Sequence, residues 1–246
     1  LIAPKLTAES DDSIYQIEVH YLPEDKITSL KRWLVNFNEE LDLNTKAHLS
    51  VNYYRVSDKD YFKDIALTNT NVNTLKSNLK LTYDDKDNHL SATLLTEDEQ
   101  VVNAGVPEYT RAVEGSISKT FNADNKMPIQ VDLVRTNFAH DTDSKETGVR
   151  THGDLGVSRK LDTKFPVITP RASVAITNYS LKNSPDINRT ILGSGVDIDF
   201  TINRKGNLFG SEINHRLSPI ISYDYRAKEV QGNIPIFDST DKYDDI

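Results

Sequence analysis

The sequence predicts an all-β fold: a run of antiparallel strands of the transmembrane β-barrel type. Three observations predict it. Apolar and polar residues alternate with period two along most of the chain. Clusters of Asp and Asn separate the alternating runs. Many runs approach the ~9–11 residues that cross a bilayer at a tilt, whereas soluble strands centre on ~5–6.

The first run covers residues 14–22. The next segment is ambiguous. Ile27, Leu30, Leu34, Phe37 and Leu41 recur at helical spacing, while Trp33, Val35 and Phe37 would share one face of a strand. In 46–54, Ala47, Leu49, Val51 and Tyr53 oppose Lys46, His48, Ser50, Asn52 and Tyr54. The connection 56–72 is the longest, and its Tyr61-Phe62 pair predicts that it folds back onto something. In 75–83, Leu75, Leu79, Leu81 and Tyr83 oppose Lys76, Asn78, Lys80 and Thr82. Further strands are expected at 90–96, 111–121, 129–138, 149–159, 171–179, 196–203 and 210–226. Turns are expected at 84–88, 122–126, 141–145 and 203–207, and an acidic loop at 237–246. The ~10-residue rhythm of barrels makes this roughly 10–11 strands.

Composition does not separate a membrane barrel from a polar soluble β-protein. The chain of 246 residues is 37% hydrophobic and 27% charged, with mean hydropathy −0.53. A barrel with a wet lumen gives similar figures, because every second residue faces water. Charges stand in mid-strand, among them Lys80, Asp132, Asp197 and Asp199. They suit a solvent face or a water-filled lumen. The net charge of −8 argues against a nucleic-acid binder. With no cysteine, disulfide frameworks, zinc ribbons and thiol catalysis are excluded within the chain. No stretch approaches the about 18 apolar residues of a transmembrane helix. The chain starts at Leu1 and its one methionine is Met127, so a processed form or excised segment is expected.

Chemistry-bearing patterns are sparse. None of the six histidines makes a two-His metal spacing. Glu18 and His20 share a strand face and come nearest to a metal pair, but a lumenal or solvent face explains them more simply. Asp197 and Asp199 could mimic a glycosidase carboxylate pair, and a hydrated wall is again the simpler explanation. Asp11-Asp12, Asp84-Asp85 and Asp244-Asp245 read as solvated turns. Gly193-Ser194-Gly195 lacks the spacing of a nucleophile elbow and reads as a flexible turn. Neither a dinucleotide fingerprint nor a P-loop is present. Catalytic, cofactor-binding and metal residues are therefore expected to be none, and an enzyme is not expected.

Three passages together carry a family resemblance. Tyr21-Leu22-Pro23-Glu24-Asp25-Lys26 is followed by Arg32-Trp33-Leu34. Next comes Val51-Asn52-Tyr53-Tyr54-Arg55, running into Val56-Ser57-Asp58-Lys59-Asp60-Tyr61-Phe62-Lys63-Asp64, the most specific element. Pro219-Ile220-Ile221-Ser222-Tyr223-Asp224-Tyr225-Arg226 then leads to Ile234-Pro235-Ile236-Phe237-Asp238. Their order and spacing resembles the barrel domain of the LptD family, which inserts lipopolysaccharide into the outer leaflet of the outer membrane. The resemblance implies a strand near 31–38, against its helical period. It implies that residues 1–246 are the central part of the barrel, with the jelly-roll domain, terminal barrel strands, lateral gate and family cysteines outside them. Implied partners are lipopolysaccharide, an LptE-like lipoprotein plug and, through the jelly roll, an LptA-like periplasmic bridge; the implied location is the Gram-negative outer membrane. The lumenal residues that touch lipopolysaccharide are unknown from sequence. Two alternatives stay open: a general outer-membrane channel or receptor barrel, and a soluble all-β carbohydrate-active domain.

Overall fold

The structure, a computed structural model, describes residues 1–26, 29–65, 72–124, 127–161, 163, 165–208, 211–228 and 234–242. Among these residues lie fourteen strands: β1 (Lys5–Glu9), β2 (Ser13–Leu22), β3 (Arg32–Asn44), β4 (Ala47–Val56), β5 (Thr74–Asp85), β6 (Leu90–Val101), β7 (Thr110–Phe121), β8 (Ile129–Ala139), β9 (Gly148–Ser158), β10 (Val167–Leu181), β11 (Ile187–Asp199), β12 (Ile202–Leu208), β13 (Ser211–Leu217) and β14 (Ile220–Arg226). One four-residue helix, α1 (Tyr61–Asp64), sits between β4 and β5. Strands β1 to β11 pair with their sequence neighbours, and β14 closes onto β11, in one 12-stranded sheet. β12 and β13 form a separate hairpin between β11 and β14.

The alternation becomes two continuous faces because the register carries it from strand to strand. Ser50, Lys80, Leu95, Glu114, Thr136, Arg150 and Tyr179 stand side by side across β4 to β10. On the opposite face Ile117 and Leu133 pair, as do Val131 with Leu155 and Val174 with Leu192. A one-residue slip in any pair would exchange the faces. The apolar face is the bare one: Leu94, Leu133, Ile176 and Leu192 are 50–59% exposed. Full burial of such a side chain is worth roughly 1.5–3 kcal/mol, and about half of that is forfeited here in water. A sheet that leaves so many uncovered is built for an apolar surrounding. Strands β2 to β11 are 10 to 15 residues long, enough to span one at a tilt. No helix is long and apolar enough to cross a membrane, among the described residues.

The ambiguous segment is strand. β3 pairs along its length with β2 and β4, placing Trp33, Val35 and Phe37 on the apolar face and Leu34, Asn36 and Asn38 on the other. Ladder bonds to two neighbours outweigh its weak helical preference. Ile27 and Thr28 lie outside the described residues.

The strand count exceeds the expected 10–11 for three local reasons. β1 is short and exposed and carries little periodic signal. β11 begins at Ile187 and runs straight through Gly193-Ser194-Gly195, so that tripeptide is mid-strand and not a turn. The expected strand 196–203 is broken after Asp199, whose carboxylate accepts from the Thr201 amide at 2.7 Å and hydroxyl at 2.6 Å. The expected turn at 203–207 is instead strand β12, paired with β13. Segment 210–226 splits at Ser218-Pro219 into β13 and β14, since proline cannot donate to a ladder. The turns at 84–88 and 141–145 stand close to expectation; Asn125 and Lys126 of the turn at 122–126 lie outside the described residues.

Two buried clusters lie on the polar face, at the end of the sheet where β4, β8 and β10 finish. One gathers Leu34, Val56, Tyr61, Phe62, Leu75 and Val102. The other gathers Phe138, Tyr179 and Phe237.

Candidate functional site

The first cluster is held by Arg32, which opens β3 and is 2% exposed. Its Nε and Nη2 donate to the two oxygens of Asp58, at 3.1 and 2.6 Å. Its Nη1 donates to Asp64 at 2.9 Å and to Asp25 at 3.3 Å. The connection 57–65 is thereby drawn onto the polar face, with Tyr61 and Phe62 beneath it. Tyr61 meets Phe62 edge-on at 5.4 Å, and its hydroxyl lies 3.3 Å from His20 Nδ1. Burial pushes the Tyr61 phenol up to about 12. Burial would also raise Asp58, but the Arg32 guanidinium and the Ser57 hydroxyl outweigh it and hold that carboxyl below its ordinary range.

The second cluster is built on β9. Arg150 donates through Nη1 and Nη2 to Asp238, at 2.8 and 2.9 Å, and through Nη1 to Asp241 at 2.8 Å. Asp241 is the buried partner here. It also accepts from the Tyr179 hydroxyl at 2.8 Å and from the amides of Phe237 and Asp238 at 2.8 and 3.1 Å. Residues Ser239–Asp241 form one 3-10 turn, capped by Asp238. Phe237 stacks on Phe138 at 4.6 Å and meets Tyr109 edge-on at 5.2 Å. Burial pushes Asp238 up, and Arg150 with Thr240 more than reverses that, leaving it below the ordinary carboxylate range. The expected acidic loop at 237–246 is thus, through Lys242, a strap pinned across β8 to β11; Asp244 and Asp245 lie outside the described residues.

Between the clusters runs a band of paired charge. Arg111 donates to Glu97 at 2.9 and 2.7 Å and to Glu114 at 3.2 Å, and the Thr136 hydroxyl donates to Glu114 at 2.8 Å. Lys76 reaches Glu108 at 2.8 Å.

The chemistry-bearing candidates have structural partners. His20 Nε2 lies 2.9 Å from Glu18, so the pair orients the imidazole toward Tyr61. No three-residue metal cluster is found among the described residues. Asp197 accepts from the Ser222 hydroxyl at 2.7 Å and faces Arg171 at 3.1 Å, while Asp199 is turned to Thr201. Asp85, read as a solvated turn residue, is 5% exposed and bonds Asn88 and Lys46. Sequence reasoning did not foresee the two arginine clamps. Asp58, Asp64 and Asp238 nevertheless lie inside the passages that carried the family resemblance.

A 12-stranded antiparallel sheet, bare and apolar on one face and charged on the other, is part of a β-barrel wall whose polar face lines the lumen. The family model for LptD, LPS transport system D, matches residues 31–245, and the chain belongs to that family. It is similar to the LPS-assembly protein LptD of Nitrosomonas eutropha, with 25% identity over 92% of this chain and 33% of that protein. To that of Nitrosospira multiformis the identity is 28%, over 89% of this chain and 25% of the relative. To that of Neisseria gonorrhoeae it is 23%, over 92% and 30%. The chain therefore spans about a third or less of the length of these curated relatives.

Proposed function

We propose that this chain is the central wall of an outer-membrane barrel through which lipopolysaccharide is assembled into the outer leaflet. The observation that carries the proposal is the continuity of two chemically opposite faces across twelve paired strands. The apolar face meets lipid. The polar face offers carboxylates, guanidiniums and hydroxyls to the sugar and phosphate groups of a passing amphiphile. The work is physical. A sheet edge in lipid leaves unpaired N–H and C=O groups, each costing several kcal/mol. A seam that parts must therefore be short and weakly paired, and strands β2 to β11, each paired on both sides, are suited to be the wall away from that seam.

In this proposal residues 1–246 are one piece of a longer barrel domain, with a jelly-roll domain and further strands beyond them. The partners are an LptE-like lipoprotein in the lumen and an LptA-like periplasmic bridge. The location is the outer membrane of a Gram-negative cell, and the protein is not an enzyme. The test is depletion of the full-length protein in its host. Newly made lipopolysaccharide should then fail to reach the surface and accumulate inside the cell, while other outer-membrane proteins still arrive. Normal surface lipopolysaccharide after depletion would overturn the proposal. So would ion conductance as the one defect lost and restored, which would favour a general channel.

A further inference from the structure

Away from both clamps, toward the opposite end of the same face, β8 to β11 and β14 enclose a groove of about 420 Å³, within the roughly 300–1,000 Å³ of small-ligand pockets. Its floor comes from glycine. One register row reads Gln130, Gly156, Ser173, Gly193 and Arg226; the next reads Ser158, Arg171, Gly195 and Asp224. A Cβ at Gly193 would stand 2.5 Å from the Ser173 hydroxyl. One at Gly195 would stand 2.6 Å from an Asp224 oxygen and 2.9 Å from the Tyr223 carbonyl. Side chains at either position would fill the groove or displace its walls.

The charged side chains that line it are Arg171, Asp224 and Arg226. Arg171 Nη2 lies 3.0 Å from Asp224 and 3.1 Å from Asp197, which stands outside the lining, and Arg171 Nε is buried with no partner among the described residues. Arginine offers donors alone and a carboxylate offers acceptors alone, whereas a hydroxyl does both. One sugar hydroxyl can therefore donate to Asp224 while its neighbour accepts from Arg171. A phosphate would meet an Arg171 charge already answered by two carboxylates and an Arg226 that is itself engaged, and an acyl chain brings neither donor nor acceptor. We infer that the groove floored by Gly156, Gly193 and Gly195 and lined by Arg171, Asp224 and Arg226 is a binding subsite for vicinal hydroxyls of a neutral saccharide. It rests on the proposed lipopolysaccharide path and names which part of such a cargo this wall would touch.

The direct test is binding of maltotetraose, a neutral oligosaccharide, to the full-length protein in detergent micelles, followed by saturation-transfer NMR. Wild type should bind, and sodium phosphate should not displace the sugar. Gly193→Leu, which fills the groove and leaves the ion pairs in place, and Arg171→Ala, which removes the donors, should each weaken binding at least tenfold. Folding of each variant is checked by its heat-dependent gel migration, and either folded variant suffices. Unchanged affinity in a folded variant, absence of wild-type binding, or displacement by phosphate at equal concentration would overturn the inference. A cellular arm separates it from the underlying function. Gly193→Leu should slow surface delivery of lipopolysaccharide bearing a long neutral sugar chain several-fold and spare the truncated form. Equal delivery of both forms by wild type and variant counts against the subsite alone. Loss of the full-length protein without effect on either form counts against the transport function, and maltotetraose binding still decides the subsite.

Discussion

The two clamps on the polar face do the same job with opposite polarity. At α1 the buried centre is a cation: Arg32 is enclosed, and its three aspartates are 12–40% exposed at their side chains. At the strap the buried centre is an anion: the Asp241 side chain is fully enclosed, beneath Arg150 at 8% and Asp238 at 32%. The difference shows where each clamp is vulnerable. Removing a buried centre breaks every bond it holds at once, whereas losing one exposed partner leaves the centre its remaining partners and water at the gap. The α1 clamp should therefore fail through its arginine, and the strap through its innermost aspartate.

The largest effect is expected for Asp241→Ala. It strands the Tyr179 hydroxyl and two backbone amides and leaves Arg150 with Asp238 alone, at a cost of about 3–5 kcal/mol, that of breaking a buried pair. Hydrogen exchange of the full-length protein in micelles should show protection lost at 237–241 and kept at 58–64. Arg32→Ala should do the converse, releasing 58–64 at about 3 kcal/mol or more, since three neighbouring carboxylates then repel one another. A smaller loss, roughly 1–3 kcal/mol, is expected for Asp238→Asn, which removes a charge-assisted bond but leaves Asp241 in place. Asp64→Asn should cost less than about 1 kcal/mol, as expected of a side chain 40% exposed. If the exposed aspartate proved as costly as the buried one, the contrast between the clamps would be wrong.

Acid should loosen both clamps together. Asp58 and Asp238 are held below the ordinary carboxylate range. Their contribution is complete above the unfolded value of about 3.9 and is lost as pH falls through the lower folded values. Exchange at 58–64 and 237–241 should be flat between pH 7 and 5, after correction for intrinsic rates, and rise only below about pH 4. A rise already near pH 6 would contradict a carboxylate origin.

Much of the fold was legible because period two is a strong signal where both faces are long. Residues 46–54 and 75–83 alternate cleanly, and β4 and β5 lie close to those bounds. β11 hid its first half because Gly193 and Gly195 interrupt the alternation with residues that carry no side chain. β12 hid because Asn203, Lys205 and Asn207 look like turn residues until their pairing with β13 is known. The clamps were out of reach for a different reason. Arg150 and Asp241 are separated by ninety-one positions, and nothing local links them. Arg32, Asp58 and Asp64 all stood in passages already singled out, yet Arg32 lies 26 and 32 positions before its aspartates, and only the pairing of β3 with β4 brings them together.

On the proposed path lipopolysaccharide travels along the polar face and not the apolar one. Ser118 and Ile117 are neighbours on β7 that face opposite ways, the first beside Asp132 and the second beside Leu133. A photo-crosslinking amino acid placed at each position of the full-length protein, in cells exporting lipopolysaccharide, compares the two faces at one place in the wall. Crosslinks to lipopolysaccharide should form at Ser118, disappear when export is stopped, and be at background level at Ile117. Export-dependent crosslinks at Ile117 with none at Ser118 would contradict the account.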